Sequence, residues 1–409
     1  MNKKLLVLAL AGAFAAPAAM ADVTISGTIN TGPVIGTSGN ATSGTAGNGV
    51  ANVAGANVAG GQGFTTMGLT SNYSNININS TEDIGDGNKV VFNYSLDVSN
   101  TGSTVHDTAG ALRSRNSFIG FEGNWGSLRM GINEHIYERY MYQSDTLDGA
   151  AGIGGNLQML GTAGYGNVFQ NGNSTCGPSS GCQGFYRRSG NSVWYDSPDI
   201  NGFTFGIAQT LNAYQTANNG IKPTATSMGA QYKPADMPFF VNIAYERHKD
   251  FFGLNGITGV AGATGSTDTG LQIGGGVTLG DLNIYARYEQ LKYKSNGLTA
   301  QVNEYKRNAT WLGLKYNLTT GYATVQVGMA SDGSVSCGTG FTGACNANES
   351  GAFMLNGGYA HNLSKQTQLL FIGSYTNNDA LASYVNIGSP SAGRGADGRS
   401  FAVLVKHSF

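Results

Sequence analysis

The sequence predicts an all-β fold: a transmembrane antiparallel β-barrel of sixteen strands. Three observations predict it. Segments of alternating apolar and polar residues recur along the chain. The connections between them are alternately short and long. Charged residues make up only 11% of the chain, against about 25% in a typical soluble domain, while Gly contributes 63 residues and Pro only 8.

The first element is a leader. Asn2, Lys3 and Lys4 give a basic start, Leu5 to Ala16 an apolar run, and Ala19-Met20-Ala21 the small residues that a signal peptidase reads. Residues 1–21 are therefore expected to be a signal peptide and 22–409 a single barrel domain. A helical anchor would need about 20 apolar residues, and no stretch after the leader approaches even about 18. A barrel strand crosses with about 9–11 residues and needs only one apolar face. That dilutes hydropathy, and the mean here is −0.16. With a formal net charge of −1, the chain has no basic excess to offer a nucleic acid.

The strands follow. Val90, Phe92, Tyr94, Leu96 and Val98 share one face, and Asn93, Ser95 and Asp97 the other, because strand side chains point alternately to opposite sides. In a soluble sandwich the greasy side would meet a second sheet; in a barrel it meets lipid. Phe203, Phe205, Ile207 and Leu211 repeat the pattern, as do Phe239, Val241, Ile243 and Tyr245. Leu282, Ile284, Ala286 and Tyr288 oppose Asn283, Tyr285 and Arg287, and Leu312, Leu314 and Tyr316 oppose Trp311 and Lys315. Ala323, Val325, Val327 and Met329 form another such face, and Leu369, Phe371 and Tyr375 one more. With weaker segments included, strands start near Asp22, Met67, Asn88, Ala111, Gly126, Gly190, Gly202, Thr224, Pro238, Thr269, Leu282, Lys306, Tyr322, Ser350, Gln366 and Arg399. An even number suits a closed antiparallel barrel, which leaves no sheet edge in lipid.

Short connections are expected at residues 80–87, 124–125, 198–201, 280–281 and 362–365, and long ones at 32–66, 135–189, 251–267, 331–349 and 377–398. Barrels sort tight turns to one rim and long loops to the other; a sandwich has no reason to. The Gly-, Ala-, Asn- and Thr-rich stretch 32–63 could pass for a linker, but too few residues precede it to form a domain.

The last strand is specific. Phe401, Val403, Val405, His407 and Phe409 share a face, and Lys406-His407-Ser408-Phe409 resembles the ending of the Gram-negative porin family of Neisseria- and Burkholderia-like bacteria. Thr81-Glu82-Asp83-Ile84-Gly85 matches that family's first periplasmic turn. Arg115 to Phe121 with Gly126 to Gly131 resembles its hairpin before the pore loop, and Asn191 to Pro198 with Gly202 to Phe205 the strands after it. The resemblance implies a trimeric sixteen-stranded porin of the cell outer membrane, a passive diffusion channel for ions and small hydrophilic solutes. Its third loop, residues 135–184 here, would fold into the lumen and constrict the pore. It also implies that Phe409 is a signal for the outer-membrane assembly machinery, and that outer-membrane lipid and lipopolysaccharide surround the barrel. Two departures matter: Asn75 and Ile132 stand where the family tends to carry wall arginines. They point to weaker ion selectivity than in relatives with the full basic wall.

Arg113, Arg115 and Arg129 fall on lumen-facing alternations if Phe118, Leu128 and Met130 face lipid, and Arg187 and Arg188 enter the strand after the loop. A charge on the lipid side costs about 2–4 kcal/mol near the midplane, so the lumen is the cheaper place. These five are the candidate basic side of the constriction, with rim charges or subunit contacts as the competing reading. Glu134, Glu138, Asp145 and Asp148 are the candidate acidic side, although Glu138 could instead pair with Arg139 or cap a helical turn. Cys176 with Cys182, and Cys337 with Cys345, read as two local disulfides in an exported chain. A zinc site would want tighter Cys and His spacing, and no metal or cofactor is expected. Trp125, Tyr245, Tyr288, Tyr316, Tyr359 and Tyr375 suit the aromatic girdles of a membrane interface. The histidines, at 106, 135, 248, 361 and 407, form no Ser-His or Asp-His constellation in the sequence, so no enzyme is expected. The rival reading is a barrel with a closed lumen and a binding, adhesive or structural role; the direction of the long loop separates the two.

Overall fold

A computed structural model describes residues 22–41, 63–98, 101, 113–147, 152–164, 184–211, 221–258, 265–295, 301–342, 345–390 and 394–409. The leader, Asp148, Cys176 and Cys182 lie outside these residues. One antiparallel sheet contains β1 (Asp22–Gly39), β2 (Phe64–Ser71), β3 (Asn75–Gly85), β4 (Asn88–Asp97), β5 (Arg113–Gly123) and β6 (Gly126–Glu134). It continues through β7 (Arg188–Asp196), β8 (Phe203–Thr210), β9 (Thr224–Tyr232), β10 (Phe239–Lys249), β11 (Thr267–Leu279) and β12 (Leu282–Lys294). The remainder are β13 (Val302–Leu318), β14 (Gly321–Ala330), β15 (Ser334–Cys337), β16 (Ala352–Asn362), β17 (Thr367–Asn378) and β18 (Asp397–Ser408).

Two pairs of segments are single strands with a break. β2 and β3 both lie along β1, and β14 and β15 both lie along β13. Counted so, the eighteen segments make sixteen barrel strands. β1 pairs with β18 from Thr28↔Ser408 to Gly39↔Asp397, which closes the barrel and leaves every ladder a partner. Each strand starts within four residues of its expected position. The first turn is tighter than expected: β3 runs on to Gly85, and Asp86 and Gly87 alone make the turn, both at positive φ. That is the two-residue geometry whose twist suits a hairpin.

Alternation holds where the ladder is regular. Leu312 and Leu314 are 52% and 40% exposed on the lipid side, while Trp311 between them and the lumen is 1% exposed. Besides a shift at Ile84 beside the first turn, three bulges break the pattern between β1 and β7. Thr31 pairs with Ser71 and Thr28 with Asn75, so Ile29 and Asn30 face three residues, Asn72, Tyr73 and Ser74. Ser95 faces both Arg115 and Asn116, and Ile132 faces both Gly190 and Asn191. An extra residue flips every later side chain to the other face. Phe118 does not face lipid as expected: the regular β5–β6 ladder sets it opposite Gly131 and sets Ile119 opposite Met130, so it turns inward, edge-on to the buried Trp194 at 5.4 Å, while Ile119 and Phe121 face lipid. Arg115, across the bulge, turns inward as well.

The core lies inside the barrel. Tyr137, Met141, Leu157, Met159, Leu160 and Phe185, from the segment between β6 and β7, pack against Leu291, Tyr293, Tyr305 and Trp311 of the wall.

Candidate functional site

The segment between β6 and β7 begins at His135 and opens with the short helix Ile136–Tyr142. Its base is held from inside the wall. His135 Nε2 lies 2.8 Å from Thr210 Oγ1, and His135 Nδ1 lies 3.1 Å from Glu246 Oε2. His248 Nε2 lies 2.7 Å from the other Glu246 oxygen. Hydroxyl, imidazole and carboxylate in this order resemble a catalytic relay. None of Thr210, His135 and Glu246 is more than 1% exposed, so the group anchors the loop and meets no solute.

A second anchor holds the middle of the loop. Glu289 and Arg307 form a 2.8 Å ion pair and are both fully buried. The Gly161 N–H donates to both Glu289 oxygens at 2.9 and 2.8 Å, and the Tyr137 hydroxyl donates at 2.9 Å. Arg307 donates to the Met159 carbonyl at 2.9 Å and the Thr162 carbonyl at 2.8 Å. A buried ion pair offsets its desolvation only when further bonds satisfy most of its remaining valences; here Arg307 Nη1 alone lacks a hydrogen-bond partner. Arg287 adds a bond to Ser144 at 3.0 Å. On the far side, the Ile153 N–H reaches Asn72 Oδ1 at 3.0 Å, and the Gly164 carbonyl accepts from the Ser383 N–H at 2.9 Å. The loop thus runs through the lumen to the broken strand β2/β3.

Against that frame the candidate charges take their places. Arg115 is 8% exposed, 2.7 Å from Asp97, with its guanidinium 4.4 Å above the Tyr73 ring. Arg188 pairs with Glu134 and donates to Asn116 at 3.1 Å. Arg129 pairs with Glu122, lies 3.9 Å from Asp196 and covers the Phe118 ring at 5.1 Å. Arg139 grips Asp196 bidentately at 2.6 and 3.1 Å. Glu122, Arg129, Arg139, Asp196, Tyr140 and Gln143 line an open recess of about 520 Å³ beneath the helix.

Other candidates go elsewhere. Arg187 is buried with its guanidinium 4.5 Å from the Phe251 ring, and burial lowers its pKa to about 10. Asp145 accepts the N–H groups of Leu147 at 2.8 Å and Asn156 at 3.3 Å, so it shapes the loop's own turn. Arg113 stands opposite Asp97 on β5, but its side chain lies outside the described residues. Glu138 is buried and takes the Tyr142 hydroxyl proton in a hydrogen bond, while its Oε2 has no hydrogen-bond partner. Burial, then the nearby Glu134, pushes its pKa up to about 7, against the pull of Arg188 and Tyr142. Burial and the Glu138 carboxylate push the Tyr142 phenol upward too, so it stays a neutral donor.

A family model described as Gram-negative porin matches residues 7–381. The chain belongs to the Gram-negative porin family. An outer membrane porin protein of Bordetella pertussis is 27% identical over 219 residues, 52% of this chain and 49% of that protein, so the match spans about half of its length. Among solved structures, the anion-selective porin from Comamonas acidovorans superposes with a TM-score of 0.67 at 19% identity, covering 95% of this chain and 100% of that one. The trimer form of OmpT from Vibrio cholerae follows at 0.60 and 13%, covering 95% and 99%. At such identities these show the fold. The barrel is that of an outer-membrane porin.

The disulfide expected between Cys337 and Cys345 is formed, at the tip where β15 extends the β13–β14 hairpin. Phe409 joins its backbone N–H and C=O to Gly27 at 3.0 Å each, extending the β1–β18 pairing. Sequence reasoning passed over Tyr73, Asp97, Glu122, Arg139, Asp196, Glu246, Glu289 and Arg307. A signal for three of them existed. Glu246, Glu289 and Arg307 fall mid-strand on polar faces, where a charge must have a partner inside the barrel.

Proposed function

We propose that this porin is a passive, water-filled diffusion channel for ions and small hydrophilic solutes, with weak ion selectivity and a constriction formed by the loop after β6. The observation that carries the reading is the pairing of charges beside that loop. Among the described residues, Arg115, Arg129, Arg139 and Arg188 are matched by Asp97, Glu122, Asp196 and Glu134 within ion-pair distance. Rings of unmatched charge give pores their ion preference, and matched pairs cancel at the scale of an ion. Arg115, Arg129 and Arg188 with Glu134 and Glu138 are assigned to the constriction. Arg187 and Asp145 support the loop behind it.

The reading includes a homotrimer, as in the OmpT trimer form, with Phe409 recognised by the assembly machinery and the belt in contact with lipid and lipopolysaccharide. It assigns no catalytic step. A second reading, a closed barrel with a binding role, draws on one contact: the Tyr73 and Tyr142 hydroxyls meet at 3.3 Å between wall and loop. Single-channel recording of the unboiled protein in a planar bilayer decides between them. Stepwise conductance in threes, with a reversal potential near zero in a salt gradient, is expected. A silent membrane around a folded barrel would favour the second reading.

A further inference from the structure

We propose that Tyr73 sets the aperture of the channel, reaching from a bulge in the wall to meet Tyr142 of the loop. The proposal rests on the channel reading and adds the residue that fixes its width.

The bulge comes first. With three residues set against two, the chain between β2 and β3 must spend one residue off the ladder, and Tyr73 is that residue. It adopts φ +67, the left-handed region that a bulky side chain rarely enters. Such a conformation is strained and persists only where its surroundings enforce it. They do so here. The Asn72 N–H donates to the Asn30 carbonyl at 2.7 Å, and the Asn30 N–H donates to Ser74 Oγ at 2.9 Å. Ser71 Oγ donates to Ser74 Oγ at 3.0 Å. Side chains stand in for the missing ladder bonds on both sides of Tyr73 and hold its backbone in place.

The ring is then fixed from above and ahead. The Arg115 guanidinium lies 4.4 Å over its face, a favourable placement against the negative face of the π-system. Its hydroxyl lies 3.3 Å from that of Tyr142. Tyr142 gives its own proton to Glu138, so Tyr73 is the donor in the bridge. Wall and loop are therefore joined across the lumen by a bond between two half-buried phenols, beside the Asn75 and Asn77 amides, which are themselves joined at 2.8 Å. A solute that passes here meets an aromatic edge and uncharged amides beside the mutually paired Arg115 and Asp97. It is selected by width more than by charge.

Three variants test this, each read by single-channel conductance, by uptake of uncharged sugars of increasing size into liposomes, and by heat-shifted gel mobility. Tyr73→Gly removes the ring and suits the left-handed backbone. It is expected to raise conductance about twofold and to admit larger sugars, with no loss of heat stability. Tyr73→Phe removes only the bridge, whereas Tyr142→Phe removes the bridge together with the bond to Glu138, so adding Tyr73→Phe to Tyr142→Phe should change conductance no further. Should Tyr73→Gly fail to fold, the phenylalanine pair decides alone. Unchanged conductance and sugar limit in Tyr73→Gly, or additive effects in the phenylalanine pair, would overturn the proposal while the channel reading stands. A wild-type protein that never conducts would overturn both.

Discussion

The wall of this barrel has two unlike sectors. From β8 to β14 the ladders run without a shift: thirteen consecutive pairs join β11 to β12 and thirteen join β12 to β13. From β1 to β7 the ladder is interrupted four times, at Tyr73, at Ile84, at Arg115 and at Asn191. The regular sector presents fully buried groups, Glu246, Glu289 and Arg307, that hold the loop. The bulged sector presents partly exposed charges, with Asp97 at 28% and Arg129 at 24% side-chain exposure. A regular pleat delivers side chains at a fixed period, which suits a rigid clamp. A bulge re-aims one residue and bends the strand locally, which suits an aperture that water must still reach.

The largest effect is expected in the regular sector. Arg307→Met leaves Glu289 buried without its partner and is expected to cost about 3–5 kcal/mol, read as a lower temperature for the gel-mobility shift. Adding Glu289→Met should recover most of the loss, because no uncompensated charge is left. A single variant as heat-stable as the wild type would remove the clamp. In the bulged sector, stability should hardly move and selectivity should. Arg115→Ala is expected to shift the permeability ratio toward cations and Asp97→Asn toward anions, each about threefold. Ratios that stay put would place the pair away from the ion path.

Smaller again is a pH effect. Glu138 ionises near pH 7 in the folded protein, above its ordinary 4.5, because it is buried beside Glu134. Raising the pH from 6 to 8 should therefore add negative charge at the loop and favour cations. The same shift makes the folded loop progressively less favourable from about pH 4.5 up to about pH 7 and level above it, since the unfolded carboxyl is already ionised there. Glu138→Gln should flatten both trends, and a selectivity equally pH-dependent in that variant would assign them to another group. Reducing Cys337–Cys345 should have the least effect, an easier proteolytic cut at the loop tip with conductance unchanged.

The regular sector is also the one the sequence makes readable. Leu312, Leu314 and Tyr316 keep step with Trp311, so alternation gives strand, face and end within four residues. The bulged sector defeats the same reasoning. Leu128 and Met130 pair with Phe121 and Ile119, which leaves Phe118 inward, and nothing in the residues of β5 announces the extra one opposite Ser95 that turns Arg115 inward as well. Tyr73 was invisible for the same reason, because it falls inside what reads as one strand starting near Met67 and nothing there announces the residue that leaves the ladder. The loop charges were legible as residue types, but their partners were not. Asp97 meets Arg115 only through the shifted register of the neighbouring strands β4 and β5, and Asp196 meets Arg139 only because the helix after β6 packs back toward β7.

The β1–β18 seam sets a timetable. Ile29 faces His407 and Gly39 faces Asp397, so the first strand made must wait for the last before its outer edge is covered. Until then a row of naked amides and carbonyls forbids entry into hydrocarbon. Contacts this remote in the chain are the slowest to form. Membrane insertion of this polypeptide is therefore a terminal event, in which nothing commits to the bilayer until everything has been synthesised.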